Sequence, residues 1–321
     1  MKRKLLAVCI LIVLLKGGYA QQDPQYSQYL FNSLVINPAY AGYRGTLNLD
    51  AIYRNQWQGV EGAPQTQSLI IDGSFVENKV GLALGIVNDK AGLRGKFLAY
   101  LNYAYKIKMG KERQLAFGLA GGLAQYNYDG ERATYEEMQM IDFVDGRYTY
   151  IRPDARFGIH YSTNKIFIGL SATNLMSNAL SKDNQKAIAL NENPHFFLSA
   201  GYLFKINDFV KMKPSFLLKE DTKGPTSADL SVNFLLADKI WLGSSYRSNV
   251  KLFNKSNVIN TGSMGSGIVG ILRFNTANWN IGYAYDYSTS SLRSFNASHE
   301  INVGVVLNKK KNLTILSPRY F

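Results

Sequence analysis

Hydrophobic and polar residues alternate with a period of two from Thr46 almost to the end of the chain, and this period predicts β-strands. Large apolar residues occupy one face of each predicted strand, and small or polar residues occupy the other. The clearest examples are the segments 47–53, 80–86, 115–124, 281–287 and 301–307. Such two-faced strands fit a soluble β-sandwich and also a barrel whose outer surface meets lipid.

Strand length and aromatic placement favour the barrel over the sandwich. The predicted strands reach about ten residues, as membrane strands do, whereas strands of globular sheets average about five or six. Aromatic residues also concentrate toward the predicted strand ends, where a membrane barrel carries its interfacial girdles. They include Tyr100, Tyr103, Tyr105, Tyr126, Tyr128, Tyr148, Tyr150, Tyr285 and Tyr287.

The connections between predicted strands alternate in length, as in outer-membrane barrels with short periplasmic turns and long outer loops. This pattern predicts an all-β transmembrane outer-membrane barrel of about fourteen antiparallel strands over residues 46–307, within a range of twelve to sixteen. Both chain termini are expected in the periplasm. The tight connections are 76–79, 109–113, 163–165, 207–209, 237–239 and 276–278, and the longer ones are 55–65, 89–95, 130–151, 175–193, 221–226, 248–264 and 289–297.

The two ends of the chain depart from this pattern. Residues 1–20 combine Lys2, Arg3 and Lys4 with a short apolar run and Ala20, which predicts a secretory signal peptide. The single cysteine of the sequence lies in this peptide, so the exported chain is expected to have no disulfide or thiol chemistry. Residues 308–321 predict a basic C-terminal periplasmic tail that ends in two aromatic residues.

Residues 21–45 show neither strand nor helix periodicity, but they carry five aromatic residues among amides and Pro38. Two interpretations are open, a flexible periplasmic tail and an irregular plug or cap, which is expected at the periplasmic mouth of the barrel. The aromatic content favours the plug, because disordered segments are poor in aromatic residues. Asn37 before Pro38 disfavours helix at that point and favours an extended or turn conformation.

The charge and the scattered polar residues exclude several function classes. The formal net charge is +13, of which four positive charges fall in the signal peptide and +9 remain. Export removes nucleic acid as a partner, so solvated loops or anionic lipid headgroups account for the basic residues. Lumen-facing candidates could pair and hold the barrel shut, or they could line a wet channel. They are Asp50, Asp72, Arg156, Lys211, Lys213 and Asp229.

The sequence carries no signature of catalysis. His160, His195 and His299 are far apart, and no nucleophile elbow accompanies them. Clusters of metal-ligating residues are missing, and the G-x-G-x-x-G match at 265–270 precedes a strand, not a helix. We therefore predict no catalytic, cofactor or metal site, and the chain is not expected to be an enzyme.

Several sequence blocks resemble the PorP/SprF family of outer-membrane barrels from Bacteroidota. The most specific blocks are DPQYSQY at 23–29, NPAYAG at 37–42, YRNQW at 53–57 and GAPQTQ at 62–67. The terminal SPRYF at 317–321 is also similar to that family's ending. The motif residues singled out as plug candidates are Asp23, Pro24, Gln25, Tyr26, Tyr29, Asn37, Pro38, Tyr40, Gly42, Arg54 and Trp57.

This resemblance implies a component of the type IX secretion system, and in some members a role in gliding motility. It implies protein partners, namely a specific large adhesin-type cargo and other parts of the secretion apparatus, besides outer-membrane lipid. The residues themselves leave a second class open, a passive or ligand-gated pore for a small solute, since a barrel of this size can be open or plugged.

Overall fold

The computed structural model describes residues 25–110, 112–132, 146–176, 193–222, 224–250, 252, 266–289 and 297–308. Within them, fourteen antiparallel strands form one closed barrel, as the sequence predicts. The strands are β1 Leu47–Asn55, β2 Gln65–Phe75, β3 Val80–Ala91, β4 Arg94–Lys108, β5 Gln114–Asp129, β6 Arg147–Ser162, β7 Ile166–Thr173, β8 His195–Tyr202 (continued by Phe204–Lys205), β9 Val210–Asp221, β10 Thr226–Leu236, β11 Ile240–Val250, β12 Gly267–Asn275, β13 Trp279–Ser288 and β14 Ser298–Asn308.

The barrel closes because the last strand pairs with the first. Each strand pairs with the next along the chain, and β14 pairs with β1 from Leu47 opposite Asn308 to Asn55 opposite His299. Closure satisfies the backbone hydrogen bonds that an open sheet would leave at its two edges. The two strands that meet at this seam are also the ones that flank the chain's ends.

The alternation along each strand separates a lipid-facing surface from an interior. Large apolar side chains point outward, where Leu101, Leu119 and Leu230 are 69%, 60% and 63% exposed. The neighbouring small and polar residues point inward, and Ala104, Asp50 and Asn233 are fully buried. An outer surface of exposed leucine and tyrosine suits a bilayer, since apolar side chains lose nothing by facing lipid tails.

Two tyrosines that were predicted for the aromatic girdle lie inside the barrel. Tyr100 and Tyr126 are only 3% and 6% exposed, and they face inward together with Leu98 and Ala124. Tyr103 and Tyr105 do face outward. The prediction for the first pair was wrong because it used the position along a strand and not the alternation that decides the side.

The connections follow the predicted alternation in length with two exceptions. The 221–226 connection was expected to be among the longer ones, but β9 ends at Asp221 and β10 begins at Thr226, which leaves a connection as short as the tight 76–79 turn. The 89–95 connection was also expected to be long, but β3 extends to Ala91 and β4 begins at Arg94, so only Gly92 and Leu93 join them. Gly92 adopts a positive φ of 57°, which a tight hairpin needs and glycine accepts readily. Below, the end of the barrel with chain positions 47 and 308 is called the tight-turn end, and the opposite end is the long-loop end.

Three neighbouring strands are much longer than the rest. β4, β5 and β6 contain 15, 16 and 16 residues, whereas β3 and β9 contain 12 each and β7 and β8 contain 8 each. A tilted strand of about nine to eleven residues crosses the membrane. The long strands therefore extend past the bilayer at the long-loop end, as a wall on one side of the mouth.

Some expectations fall outside the described residues. They are the signal peptide at 1–20, the motif residues Asp23 and Pro24, nearly all of the C-terminal tail, and the middle parts of four long loops. None of the helices in the described part of the chain has the length and apolar character needed to cross a bilayer.

Candidate functional site

The interior of the barrel is occupied by the protein's own N-terminal segment, residues 25–45, which we call the plug. The plug makes no strand pairing and contains two single-turn 3-10 helices, Ser33–Val35 and Pro38–Tyr40. Its large side chains are nearly all buried, including Tyr26, Tyr29, Leu30, Phe31, Tyr40 and Tyr43. These residues are therefore packed inside the barrel in the structure.

The Asn37–Pro38 pair shapes the plug where it crosses the barrel. Asn37 is extended, as a residue before proline must be, and its side-chain oxygen accepts a hydrogen bond from the Ala39 N–H at 2.9 Å. Its side-chain nitrogen donates to the backbone carbonyls of Ile159 and Leu170 at 3.1 and 3.4 Å. The side-chain amide of Asn37 therefore starts the 3-10 helix and also fixes it to the barrel strands β6 and β7.

A row of small residues on the inner wall makes room for this crossing. Six neighbouring strands contribute one residue each, and successive members are direct cross-strand partners. A Cβ atom at three of the positions would overlap the Ala41 carbonyl, the Ala39 backbone or the Asn37 side chain. The row consists of Ser74, Gly81, Ala104, Gly118, Gly158 and Ser171.

A charged cluster holds the start of the plug at the long-loop end. Glu300 accepts hydrogen bonds from the backbone N–H groups of Ser27 and Gln28 at 2.7 and 2.9 Å. Arg54 donates to Ser27 Oγ at 2.7 Å and lies 2.9 Å from Asp286 and 3.3 Å from Glu300. Because Arg54 and Glu300 are fully buried, this charge pair is shielded from solvent and salt.

A second arginine extends the cluster around the mouth. Arg247 binds Asp229 through Nε and Nη2, both at 2.9 Å, and its Nη1 lies 3.5 Å from Asp286. The same Nη1 donates to the side-chain oxygen of Gln25 at 2.9 Å. The two arginines and three carboxylates therefore join β1, β10, β11, β13 and β14 to the first residues of the plug.

The last residues of the plug are held at the tight-turn end. Arg44 forms ion pairs with Asp50 and Asp72, so one guanidinium bridges β1 and β2. Burial alone lowers an arginine pKa, but the two carboxylates outweigh it and raise the pKa of Arg44 well above its ordinary value. Lys106 donates to the Gly42 carbonyl, and also to Ser74 at 3.0 Å and Asn78 at 2.8 Å.

Aromatic rings fill the space between the two charged regions. Phe31 meets Trp241 edge to face with 5.4 Å between ring centroids, and Lys213 Nζ lies 5.2 and 4.9 Å from these rings. Such contacts allow a buried cation to face aromatic rings. Tyr43 packs against Tyr40 and His160 at 4.8 and 5.1 Å between centroids.

The structure brings most of the predicted motif residues together. Gln25, Tyr26, Tyr29, Asn37, Pro38, Tyr40 and Gly42 belong to the plug, and Arg54 binds it. Trp57 lies apart, in the loop between β1 and β2, where its backbone N–H donates to Ser298 Oγ at 3.3 Å. Asp23 and Pro24 precede the described residues.

The lumen-facing charges named from the sequence are mostly engaged in contacts. Asp50, Asp72 and Asp229 bind arginines, as described above, and Lys211 lies 2.6 Å from Asp238. Arg156 stacks over the ring of Tyr100 at 3.7 Å, and that hydroxyl donates to Asp154 at 2.7 Å. Within the described residues, these contacts favour a closed interior over a wet channel.

Sequence reasoning missed Glu300, Asp286, Arg247 and the row of small residues that faces the plug. The first three stand on the small or polar face of strands, close to a predicted strand end, so the alternation assigns them to the interior. Their partners could not be assigned, because pairing across the barrel depends on register between strands far apart in sequence. Within the described residues, no group of three His, Cys, Asp or Glu side chains could hold a metal ion.

The fold and its interior define the class of the protein, a transmembrane β-barrel closed by its own N-terminal segment. The family model described as "Type IX secretion system membrane protein PorP/SprF" matches residues 18–305, and the chain belongs to this family. The resemblance carried by the motifs is thereby confirmed. The protein is an outer-membrane barrel of the type IX secretion system, and its family and fold are not those of an enzyme family.

Comparison with solved structures returned other outer-membrane barrels at low identity. The Acinetobacter baumannii outer membrane protein Omp33 is 6% identical with a TM-score of 0.47, covering 83% of this chain and 100% of its own. A KdgM porin is 8% identical with a TM-score of 0.36, covering 81% and 99%. A mutant porin of Rh. blastica is 9% identical with a TM-score of 0.35, covering 81% and 98%. At these scores the matches carry no argument about function, and no curated protein sequence matches the chain.

Proposed function

We propose that the protein supports the secretion or surface attachment of one specific, large adhesin-type protein, and through it contributes to gliding motility. Family membership supports the secretion role. The structural observation that carries the proposal is the filled interior: the plug is held by charges at both ends of the barrel and by aromatic packing between them. A barrel closed in this way suits docking of a protein better than passage of a solute.

The proposed orientation places the tight-turn end in the periplasm and the long-loop end outside the cell. Short periplasmic turns and long outer loops are general features of bacterial outer-membrane barrels. The chain leaves the last strand at Asn308, so its C-terminal side faces the periplasm, where other secretion components act. The wall formed by β4, β5 and β6 then rises outside the cell, where an exported partner arrives.

The second candidate, a pore for a small solute, predicts an open path through the barrel. Arg54 and Lys106 of the barrel bind the plug, and Arg44 of the plug binds Asp50 on the barrel, so these cations do not line an open channel. We therefore favour protein docking over conduction of a small solute as the function. Planar-bilayer recording of the purified protein separates the two, because a pore gives large, stable conductance steps and the docking barrel does not.

The test of the proposed function is a comparison of surface and secreted proteins between the parent strain and a deletion strain. Loss of one adhesin-type protein from the surface, with other exported proteins unchanged, supports the proposal. Complementation with the intact gene should restore that protein. An unchanged surface and secreted proteome in the deletion strain contradicts the proposed role.

A further inference from the structure

The first described residues of the plug all lie at the long-loop end of the barrel. Gln25 binds Arg247, which is three residues from the long-loop end of β11. The Tyr26 hydroxyl lies 2.8 Å from Ser68 Oγ, in the fourth residue of β2. Ser27 and Gln28 bind Glu300, the third residue of β14. Each of these wall residues stands close to the long-loop end of its strand.

The plug then runs toward the opposite end of the barrel. Phe31 packs on Trp241, the second residue of β11 at its tight-turn end. Between Gln25 and Phe31 the plug therefore passes along β11 from Arg247 to Trp241, which are six residues apart and separated by about 20 Å at the usual strand rise. The direction of the chain is from the long-loop end inward.

Exposure changes in the same direction. Gln25 is half-buried, whereas Tyr26, Ser27 and Gln28 are only 8%, 2% and 3% exposed. Over these four residues, the chain is most accessible where it meets the long-loop mouth. A chain that entered from the periplasm would show the reverse order, with its first residues near the tight-turn end, beside residues such as Trp241 or Lys106.

We propose that the plug enters the barrel through the outer mouth, so that the start of the exported chain lies outside the cell. The first residues then belong to the same outer surface as the long loops, which is the surface offered to an exported polypeptide. This replaces the expectation that both termini face the periplasm and leaves only the C-terminal side there. The inference rests on the orientation given under the proposed function.

The absence of cysteine after the signal peptide permits a direct test by labelling. Gln25→Cys and a short epitope inserted between Gln22 and Asp23 report on the start of the chain. Glu61→Cys in the exposed 56–64 loop serves as the outer control, and Asp208→Cys in a tight turn serves as the periplasmic control. Intact cells are treated with a membrane-impermeant maleimide or with antibody to the epitope.

The expected result is reaction of Gln25→Cys or of the epitope in intact cells, to the extent seen for Glu61→Cys. Asp208→Cys should react only after the outer membrane is made permeable. Reaction of the N-terminal probes only after permeabilisation overturns the proposal, and so does no reaction of the epitope in intact cells. Because the readout does not depend on cargo, failure of this inference is distinguishable from failure of the proposed function.

Discussion

Glu300 is the residue on which the start of the plug depends most directly. Its two carboxylate oxygens accept both backbone N–H groups of Ser27 and Gln28, and it also faces Arg54. Glu300→Gln removes the charge but keeps the shape. Because loss of one partner from a buried ion pair costs about 3–5 kcal/mol, we expect a loosened plug. Heat-modifiability on gels should show a lower unfolding temperature, and bilayer recording should show raised conductance.

The matched control is Glu61→Gln in the exposed 56–64 loop. This variant should change neither the unfolding temperature nor the conductance. Adding Arg54→Gln to Glu300→Gln should cost less than the sum of the two single changes, since the pair acts as a unit. Strictly additive effects would contradict the direct coupling of these two residues.

Gly118 tests the row of small residues that faces the plug. A Cβ atom at Gly118 would overlap the Ala39 backbone, so Gly118→Ala should force the plug away from β5. Overpacking of this kind typically costs about 1–3 kcal/mol. Gly121, on the same strand, faces open space and provides the control variant Gly121→Ala. Protease sensitivity of the plug should increase for the first variant alone, and equal sensitivity of both would contradict the close contact.

The plug tyrosines link its stability to alkaline pH. Burial raises the pKa of Tyr43 from 10.0 to about 12, and burial raises the pKa of Tyr26 and Tyr40 further. Since the seated plug keeps these hydroxyls protonated, its stability is full below the unfolded pKa and is lost as pH rises toward the folded one. Protection of the plug from protease should be constant up to about pH 10 and fall between about pH 10 and 12.

The variant that checks this dependence is Tyr43→Phe. Tyr43 is one of the hydroxyls that the seated plug keeps protonated, so removing it should make the loss of protection shallower and move it to higher pH. An unchanged pH of release in Tyr43→Phe would show that other groups control the seating of the plug.

At the scale of whole elements, the plug joins the two strands that close the barrel. Arg54 on β1 and Glu300 on β14 are direct partners across the seam, and both bind Ser27. The plug therefore supports the one strand pair that joins residues far apart in sequence. Such non-local pairing is costly in chain entropy, so an added contact at the seam has a large effect on closure.

Deletion of residues 23–43 with retention of the signal peptide tests the plug as an element. The barrel keeps all fourteen strands in this variant, so it should still assemble as a heat-modifiable species in the outer membrane. Without the seam contacts its unfolding temperature should fall, and without the buried rings its conductance should rise. If the variant conducts no more than the parent and retains its surface cargo, the plug neither closes the barrel nor supports display of the cargo.

The elements also show how far the sequence could be interpreted. The alternation of Leu82, Leu84 and their neighbours was sufficient to predict strands, because the lipid-facing side of a barrel is uniformly apolar. It failed at the 89–95 connection, since β3 and β4 continue past the membrane with polar residues that resemble a loop. The aromatic residues of 21–45 indicated burial, but the contacts of Ser27 with Glu300 depend on barrel closure, which local patterns do not contain.

At the scale of the whole molecule, the barrel is asymmetric. β5 and β6 contain 16 residues each, and their ends at the long-loop end of the barrel pair up to Asp129 opposite Arg147. This hairpin rises on one side of the mouth, while β7 and β8 stop after 8 residues. An exported partner that docks at the outer end would meet this wall on one side and the mouth of the plugged barrel on the other.

Shortening the wall tests this docking surface. Ala124 and Arg152 are cross-strand partners, so an Asn-Gly turn can replace the residues between them. The remaining strands still cross the membrane, and the shortened variant should assemble with little change in unfolding temperature. We expect it to lose the surface protein identified in the deletion strain. Retention of that protein at parental levels would place the docking surface elsewhere.

The closed ring also dictates an order of events during biogenesis. The plug leaves the export machinery before any strand, and β14, which completes the ring, leaves last. Since the plug turns through Gly42 and Gly45 directly into β1, it is tied to the first strand before the last one arrives. We therefore expect the ring to close around the plug. A tightly folded domain fused ahead of the plug would have to reach the far side of the membrane before the ring closed, because the finished barrel leaves no passage for it.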